Sequence, residues 1–170
     1  PAWLSDYSNH PMVEGNANLV RWMHVTPWKQ DIESCDRVGL IQAMQAGDAE
    51  KDCEGRQWEQ RTGLMRDAII YNRNNPSILF YECGNESISR EHMIEMKAIR
   101  DLYDPHGGRA IGSREMLDIR EAEYGGEMLY INKSAHHPMW AMEYCRDEGL
   151  RKYWDDYSYP YHKDGDGSNS

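Results

Sequence analysis

The sequence predicts an α/β fold with a parallel sheet, and two patterns carry that prediction. Short apolar runs alternate with longer segments that carry apolar residues at helical spacing over the first two thirds of the chain. The run Ser77 to Tyr81 is apolar without alternation, as is typical of strands buried on both faces. Alternating strands and helices favour right-handed βα units. A closed barrel and an open doubly wound sheet both fit this pattern, and in both the ligand side lies at the C-terminal ends of the strands.

Local signals place each element in order. A helix is predicted at Lys29–Arg37 because a glycine follows it, and another at Arg56–Asn72 because Pro76 lies just beyond it. A third helix begins at a cap provided by Ser87 or Ser89 and ends at the turn DPHGG. The predicted strands are Leu19–Val25, Leu40–Met44, Ser77–Tyr81, Ala110–Ser113, Met128–Ile131 and Met139–Ala141.

The composition excludes nucleic acid and anionic membranes as partners. The chain has 170 residues, the size of one domain or part of one, with 29 acidic against 19 basic residues and no cluster of Lys or Arg. Six Trp and eleven Tyr stand against one Phe, and rings with a polar edge suit the apolar faces of sugars. Packing at interfaces explains the same aromatic content about equally well.

No membrane span, cofactor or metal site is predicted. No run approaches the ~18 apolar residues of a spanning helix. The four cysteines show neither CxxC nor the Cys/His spacing of a zinc site, so we expect free thiols, with a disulfide as the alternative.

Two glutamates follow predicted strands, where functional side chains are expected. Glu86 comes directly after Asn85, just beyond the run that ends at Tyr81, and Glu143 ends the strand of HPMWAMEY beside Trp140. Retaining hydrolysis of a glycoside needs two such carboxyl groups, one to protonate the leaving oxygen and one to attack the anomeric carbon. With 29 acidic residues in the chain, glutamates at strand ends are common, and most are simply solvated. Spacing alone therefore does not distinguish a catalytic pair from two solvated glutamates.

Three sequence blocks carry a resemblance to a known family. The stretch RNNPSILFYECGNES resembles the R-N-H-P-S-I/V strand and G-N-E-S segment of glycoside hydrolase family 2, the beta-galactosidase-type enzymes. The resemblance implies that Glu86 is the general acid/base at the end of barrel strand 4 and that Asn85 holds the sugar 2-hydroxyl. The block PMWAMEYCRDEGLRKYW is similar to the family's second glutamate segment. It implies that Glu143 is the nucleophile at the end of strand 7. Trp140, from its position beside Glu143, is expected to border the sugar site.

The third block, NLVRWMHVTPWKQDIESCDRVGL, resembles the family's N-x-x-R-x-x-H-x-x-P stretch. It implies that His24, at the end of strand 2, contacts the sugar and that Arg21 supports the acid/base. The family also has a strand 6 tyrosine bonded to the nucleophile. Tyr130 is the candidate for that role, and Tyr124 competes for it.

The chain departs from the family pattern at several positions. Gln45 stands in a strand that in the family often ends in D-E-A-N, and Asn75 stands where His is usual. Tyr81-Glu82-Cys83 replaces the usual Trp-Ser-Leu. The segment Asp48 to Gly55 lacks the histidine of the family's magnesium pair, so no metal is predicted.

The resemblance therefore implies a (β/α)8 TIM barrel that is incomplete, with about strands 2 to 7. We expect residues 1–162 to form the partial catalytic domain and residues 163–170 to form a disordered tail. Only short or missing helices are expected after strands 5 and 6. The implied function is that of a retaining beta-glycosidase, galactoside-type first, acting on a carbohydrate substrate.

The parent chain is expected to supply the remaining domains, and such a relative suggests an extracellular or periplasmic location. Because a barrel takes about 250 residues, we expect no turnover by this segment alone. The alternative is a carbohydrate-binding module without catalysis, which the departures at Gln45 and Asn75 favour.

Overall fold

The computed structural model describes residues 1–46, 51–86, 88–127 and 138–142. Within these ranges lie four helices and six strands. The helices are α1 (Ala2–Glu14), α2 (Lys29–Val38), α3 (Gly55–Asn72) and α4 (Arg90–Tyr103). The strands are β1 (Leu19–Arg21), β2 (Ile41–Gln45), β3 (Ile78–Glu82), β4 (Ala110–Arg114), β5 (Tyr124–Glu127) and β6 (Met139–Ala141). Among the described helices, none is long and apolar enough to cross a membrane.

The six strands form one parallel sheet in which spatial order equals chain order, β1 to β6. A doubly wound sheet reverses its strand order at a switch point, and this sheet has no such reversal among its described strands. The α/β class is therefore confirmed, and the consecutive order is that of a barrel wall. Closure into the eight-stranded barrel stays a prediction.

One face of the sheet packs against the helices. Met44, Tyr81 and Ile111 lie on this outer face and are fully buried. They belong to a core cluster with apolar side chains of α3 and α4, including Met65 and Met96. Burying each such side chain contributes roughly 1.5–3 kcal/mol, so this cluster fixes the helices to the strands.

The opposite, inner face carries the side chains that continue from strand to strand in register. The pairing joins Ala43 to Phe80, Gly112 to Tyr124 and Gly126 to Trp140. Paired residues point to the same face, so the aromatic rings form one layer. Phe80 stacks on Trp140 with 5.3 Å between ring centroids and meets Tyr124 edge-on at 5.2 Å. Beyond this layer, toward the C-terminal ends of the strands, the inner face is polar.

The helix predictions are confirmed, and the open choice of cap is settled in favour of Ser89. Its hydroxyl accepts a hydrogen bond from the backbone N–H of His92 at the start of α4. At the end of α2, Gly39 takes the left-handed conformation (φ 79°) that favours glycine. Ser87 lies outside the described residues.

Three elements differ from their predictions. β1 ends at Arg21 and not at Val25, because the chain leaves the sheet there. α1 has no counterpart in the sequence prediction. The predicted strand Met128–Ile131 lies outside the described residues, and the structure has a strand immediately before it, β5. The connection from β4 to β5, residues 115–123, contains turns and no helix, as expected for strand 5 of the implied barrel.

Candidate active site

Glu86 lies at the C-terminal end of the sheet, four residues beyond β3. Its side chain is 35% exposed, and its two oxygens approach Lys51 Nζ at 3.6 Å and Arg114 Nη2 at 3.8 Å. An isolated backbone bridge also joins Glu86 to Lys51. The carboxylate is therefore reachable from solvent and flanked by two cations.

The loop that carries Glu86 is anchored on both sides. Ser113 on β4 donates a hydrogen bond from its hydroxyl to the carbonyl of Gly84. Arg61 of α3 donates to the carbonyl of Lys51 at 2.7 Å. Asp52 accepts from the backbone N–H of Ser89 at 2.9 Å. These bonds fix the loop relative to β4 and to the starts of α3 and α4.

Asn85 is almost completely buried and touches the arginine predicted to support the site. Its Oδ1 accepts a hydrogen bond of 2.8 Å from Arg21 Nη2. Arg21 Nε donates to both oxygens of Glu82, at 2.9 and 3.1 Å. The Asn85 Nδ2 group is buried and has no hydrogen-bond partner within the described ranges. Arg21 and Asn85, predicted from different sequence blocks, are thus brought together beside Glu86.

Gln45 lies next to this group, at the end of β2. The strand register pairs it with Glu82, so both side chains point to the inner face. Gln45 is fully buried, and neither atom of its side-chain amide finds a hydrogen-bond partner in the part of the chain that the structure describes.

His24 follows β1 by three residues and is half-buried at the same end of the sheet. Its loop is tied to β2 by Thr26, whose hydroxyl donates to the carbonyl of Gln45 at 2.8 Å. The fold thus places His24 at the C-terminal ends of the strands. Its contact with a sugar stays a prediction.

Trp140 lies on β6 in the aromatic layer of the inner face, half-buried against Phe80 and Tyr124. Tyr124, the competitor for the tyrosine role, is buried and donates its hydroxyl to the carbonyl of Tyr81 at 2.9 Å. Burial raises the pKa of the Tyr124 hydroxyl well above its usual value. Tyr124 therefore serves packing in this layer, which leaves Tyr130 as the proposed partner of the nucleophile.

Glu143 and Tyr130 lie outside the described residues, and so does the tail 163–170. The separation of the two carboxyl groups, about 5 to 5.5 Å in a retaining enzyme, stays a prediction. The described residues end at Met142, directly before Glu143, and the Met142 side chain is buried beside the inner face.

Two cations of the site were missed by sequence reasoning. Lys51 belongs to no motif, and it lies beside Glu86 through a parallel backbone bridge between the two residues. Arg114 ends β4, and its side chain is 3% exposed. The signal that could have found Arg114 is its position at a strand end, where a buried guanidinium is unusual.

Asn75, one of the departures from the family pattern, is remote from the site. It precedes β3 at the opposite end of the sheet, where its side chain donates to Asp36 and accepts from Lys29 Nζ at 2.7 Å. The Asn75 side chain therefore has a structural role. Its departure from the family pattern is not an argument for a module without catalysis.

The described ranges contain no cluster of metal-binding side chains, and two of their three free thiols are buried. No group of three or more His, Cys, Asp or Glu side chains there is arranged to hold a metal ion. Cys35, Cys53 and Cys83 are free. Burial raises the pKa of Cys35 to about 12 and that of Cys83 well above its usual value, so these two thiols stay protonated.

Comparison with known proteins gives the fold and site a family context. No family model matches the chain. The chain is 30% identical over 161 residues to a beta-glucuronidase of Formosa agariphila, a match that covers 91% of this chain and 16% of that protein. The solved structure of a beta-glucuronidase from glycoside hydrolase family 2 is 29% identical and has a TM-score of 0.77, over 86% of this chain and 16% of the other.

A second similar structure is a family 2 beta-galacturonidase from Eisenbergiella tayi bound to galacturonate. It has a TM-score of 0.71 at 16% identity and covers 83% of this chain and 32% of its own length. At that identity the likeness supports the fold alone.

The parallel sheet and the strand-end glutamate are accompanied by similarity to a part of two beta-glucuronidases, one of them from glycoside hydrolase family 2. The chain spans about a sixth of the length of each of these two relatives. The beta-galactosidase type that the motifs suggested is narrower than this finding, because the relatives named above are glucuronidases and a galacturonidase.

Proposed function

We propose that the complete protein containing this chain is a retaining beta-glycosidase and that this segment supplies its acid/base. The observation that carries the proposal is the position of Glu86 at the C-terminal end of a parallel sheet. There the carboxylate is reachable from solvent and adjoins buried Asn85, which Arg21 holds in place. Residues at this end of parallel strands face the ligand in barrels.

The proposed reaction proceeds in two displacements. In the first, a Glu143 oxygen attacks the anomeric carbon, the bond to the leaving oxygen breaks, and the Glu86 proton passes to that oxygen. In the second, water attacks the same carbon, gives its proton to Glu86 and releases Glu143. Asn85, His24 and Tyr130 orient the sugar and the nucleophile, and the Trp140 ring lies below the sugar.

The proposed substrate is a beta-linked uronic acid, with a beta-galactoside as the alternative from the sequence motifs. Two relatives at 29% and 30% identity are beta-glucuronidases by name, and Lys51 and Arg114 place two cations beside Glu86. An anionic sugar would gain from that charge, and a neutral sugar would not. Aryl beta-glucuronide, galacturonide, galactoside and glucoside, assayed side by side with the complete protein, rank these substrates directly.

Covalent trapping tests the reaction itself. A 2-fluoro glycoside of the best substrate is expected to form an adduct on Glu143 in the complete protein, detected by mass spectrometry of its peptides. The Glu143→Gln variant is the matched control and should form none. Binding of the sugar without an adduct would favour a carbohydrate-binding module, which the neutral Gln45 still supports.

The segment alone provides a second test. Residues 1–170 are expected to show no turnover, because the described sheet has six strands and leaves β1 and β6 as its edges. Restoring the flanking sequence should restore activity. Robust turnover by a monomer of this segment would contradict the idea that the barrel is completed from elsewhere.

A further inference from the structure

A buried carboxylate on β3 lies beside a buried neutral amide on β2. Glu82 and Gln45 are paired in the strand register and are both fully buried on the inner face. The family pattern quoted above has an acidic D-E-A-N strand end at β2 and a serine at the position of Glu82. The two departures of this chain are therefore neighbours in space, which the sequence did not reveal.

The Glu82 carboxylate holds Arg21. The Arg21 Nε group lies 2.9 and 3.1 Å from the two Glu82 oxygens, and Nη2 of the same guanidinium also contacts Glu82. The Arg21 side chain is 4% exposed. Such a bidentate contact fixes the plane of the guanidinium as well as its position.

Arg21 in turn fixes the amide of Asn85. Because Arg21 Nη2 can only donate, the Asn85 atom 2.8 Å away must be the carbonyl oxygen. The NH2 group of Asn85 then points the other way, and it has no hydrogen-bond partner in the described ranges. A chain of contacts thus runs from Glu82 through Arg21 to an amide donor beside Glu86.

We propose that Glu82 is a positioning residue for Asn85 and that it supplies from β3 the carboxylate that the family pattern places on β2, at Gln45. The inference rests on the proposed glycosidase function and on the expectation that Asn85 holds the sugar 2-hydroxyl. Glu82 touches no substrate in this scheme and acts only through Arg21.

The exchange has a simple physical basis. Adjacent strands lie about 4.8 Å apart, so a carboxylate on either paired residue reaches the same guanidinium. Carboxylates on both would repel each other in a buried place, and carboxylates on neither would leave Arg21 without this counter-ion. One acidic residue in the pair is the arrangement that satisfies both constraints.

Four forms of the complete protein test the exchange: wild type, Glu82→Gln, Gln45→Glu and the double variant. On a substrate with a 2-hydroxyl, Glu82→Gln should lower kcat/KM by roughly 10- to 100-fold, as expected for the misplacement of one hydrogen-bond donor. On the matched 2-deoxy glycoside, the same variant should fall less than about threefold, because Asn85 has no 2-hydroxyl to hold. The double variant should recover most of the loss. Glu33→Gln, an exposed change on α2, is the control and should alter neither substrate.

Thermal melting of the same four forms provides a readout that needs no turnover. Each single variant should melt lower than wild type, and the double variant should melt higher than the sum of the two shifts predicts. Additive shifts would overturn the exchange, and equal losses on the 2-hydroxy and 2-deoxy substrates would overturn the positioning role. An inactive wild-type protein with coupled melting shifts would refute the glycosidase function and the positioning role while retaining the exchange.

Discussion

The two ends of the sheet treat their buried polar groups differently. At the N-terminal ends of the strands, Arg109 donates to Asp104 at 2.8 Å and to the carbonyls of Ile78 and Asn75 at 2.8 and 3.1 Å. Asp104 also accepts from the Tyr81 hydroxyl at 2.8 Å. At this end the buried side chains are joined to one another in a network, as is usual where polar groups serve stability.

At the C-terminal ends the arrangement is different. Gln45 and the NH2 group of Asn85 are buried without hydrogen-bond partners in the described ranges, and Glu86 is partly exposed between two cations. Buried amides of this kind weaken the fold unless a ligand or other chain atoms bind them. The contrast shows that the polar groups of one end satisfy one another, whereas those of the other end are left for the ligand proposed above.

A cavity of about 300 Å³ at the N-terminal end of the sheet fits the same contrast between the two ends. It lies at the N-terminal end, between α4 and the start of β4, and its lining includes Arg100, Asp104, Arg109 and Glu123. These four side chains bind one another in two pairs, Arg100 with Glu123 and Arg109 with Asp104.

The largest expected effect is on catalysis at the C-terminal end. Glu86→Gln should lower kcat by about 10²- to 10⁴-fold on substrates with poor leaving groups, because no proton is supplied to the leaving oxygen. Aryl glycosides with good leaving groups should be affected far less. Glu143→Gln should abolish turnover of both. Equal losses for the two variants on activated substrates would contradict the assignment of roles.

The next largest effect is on stability at the N-terminal end. Asp104→Ala should lower the free energy of unfolding by about 3–5 kcal/mol, because it leaves Arg109 buried without its carboxylate. Asp6→Ala is the matched control. It breaks an exposed pair with Arg37 and should cost at most about 1 kcal/mol. Urea unfolding of both variants compares them, and similar losses would remove the distinction between the two pairs.

Two glycines differ in the space around the position of the missing Cβ, and substitution by alanine tests that difference. A Cβ on Gly112 would lie 2.3 Å from the carbonyl oxygen of Tyr124, so Gly112→Ala should destabilise the fold by about 1–3 kcal/mol. Gly63 lies within α3 with nothing near its missing Cβ, and Gly63→Ala should stabilise by about 0.5–1 kcal/mol. Melting temperatures that shift in the same direction would show that the inner face has room to adjust.

The smallest effect is the pH dependence of Glu123, near the N-terminal end. Burial alone would raise the pKa of Glu123, but hydrogen bonds from Arg100 and Lys97 outweigh it and bring the pKa to about 2. A depressed pKa means that the stabilisation is complete above the ordinary pKa of 4.5 and is lost as the pH falls toward 2. The melting difference between wild type and Glu123→Gln should therefore shrink over that range. A difference independent of pH would contradict it.

Much of the fold was predictable because its signals are local. The helix Lys29–Arg37 ends at a glycine, and Ser89 begins α4 as a cap, so neither depended on distant contacts. α1 escaped prediction because it contains Pro11 and has no apolar stripe along one side. β5 escaped because two of its four residues are glycines, which weaken strand propensity. A Cβ on Gly126 would lie 2.5 Å from Met142, which is 16 residues later in the chain. Glycine is therefore needed at this position of β5 because of a packing contact that is distant in sequence.

The candidate site was predictable where a motif named its residues, and less so elsewhere. Arg21 and Asn85 came from separate blocks, and the structure joins them by one hydrogen bond. Lys51 lay in no motif, and Glu82 stood out only as a departure from one. Their partners, Glu86 and Arg21, depend on how the strands and loops come together. Charge partners across strands follow from register, and register is not visible in a single sequence.

The strand order has a consequence for how the protein is made. Each described strand pairs with the strand synthesised just before it, so the sheet can grow one unit at a time as the ribosome delivers the chain. The contact between Arg21 and Glu82 is an exception, because it joins β1 to β3 and the two residues lie 61 positions apart. At about 5–20 residues per second, Arg21 leaves the ribosome roughly 3–12 s before Glu82. β1 therefore spends those seconds without the carboxylate that binds its arginine, until β3 emerges.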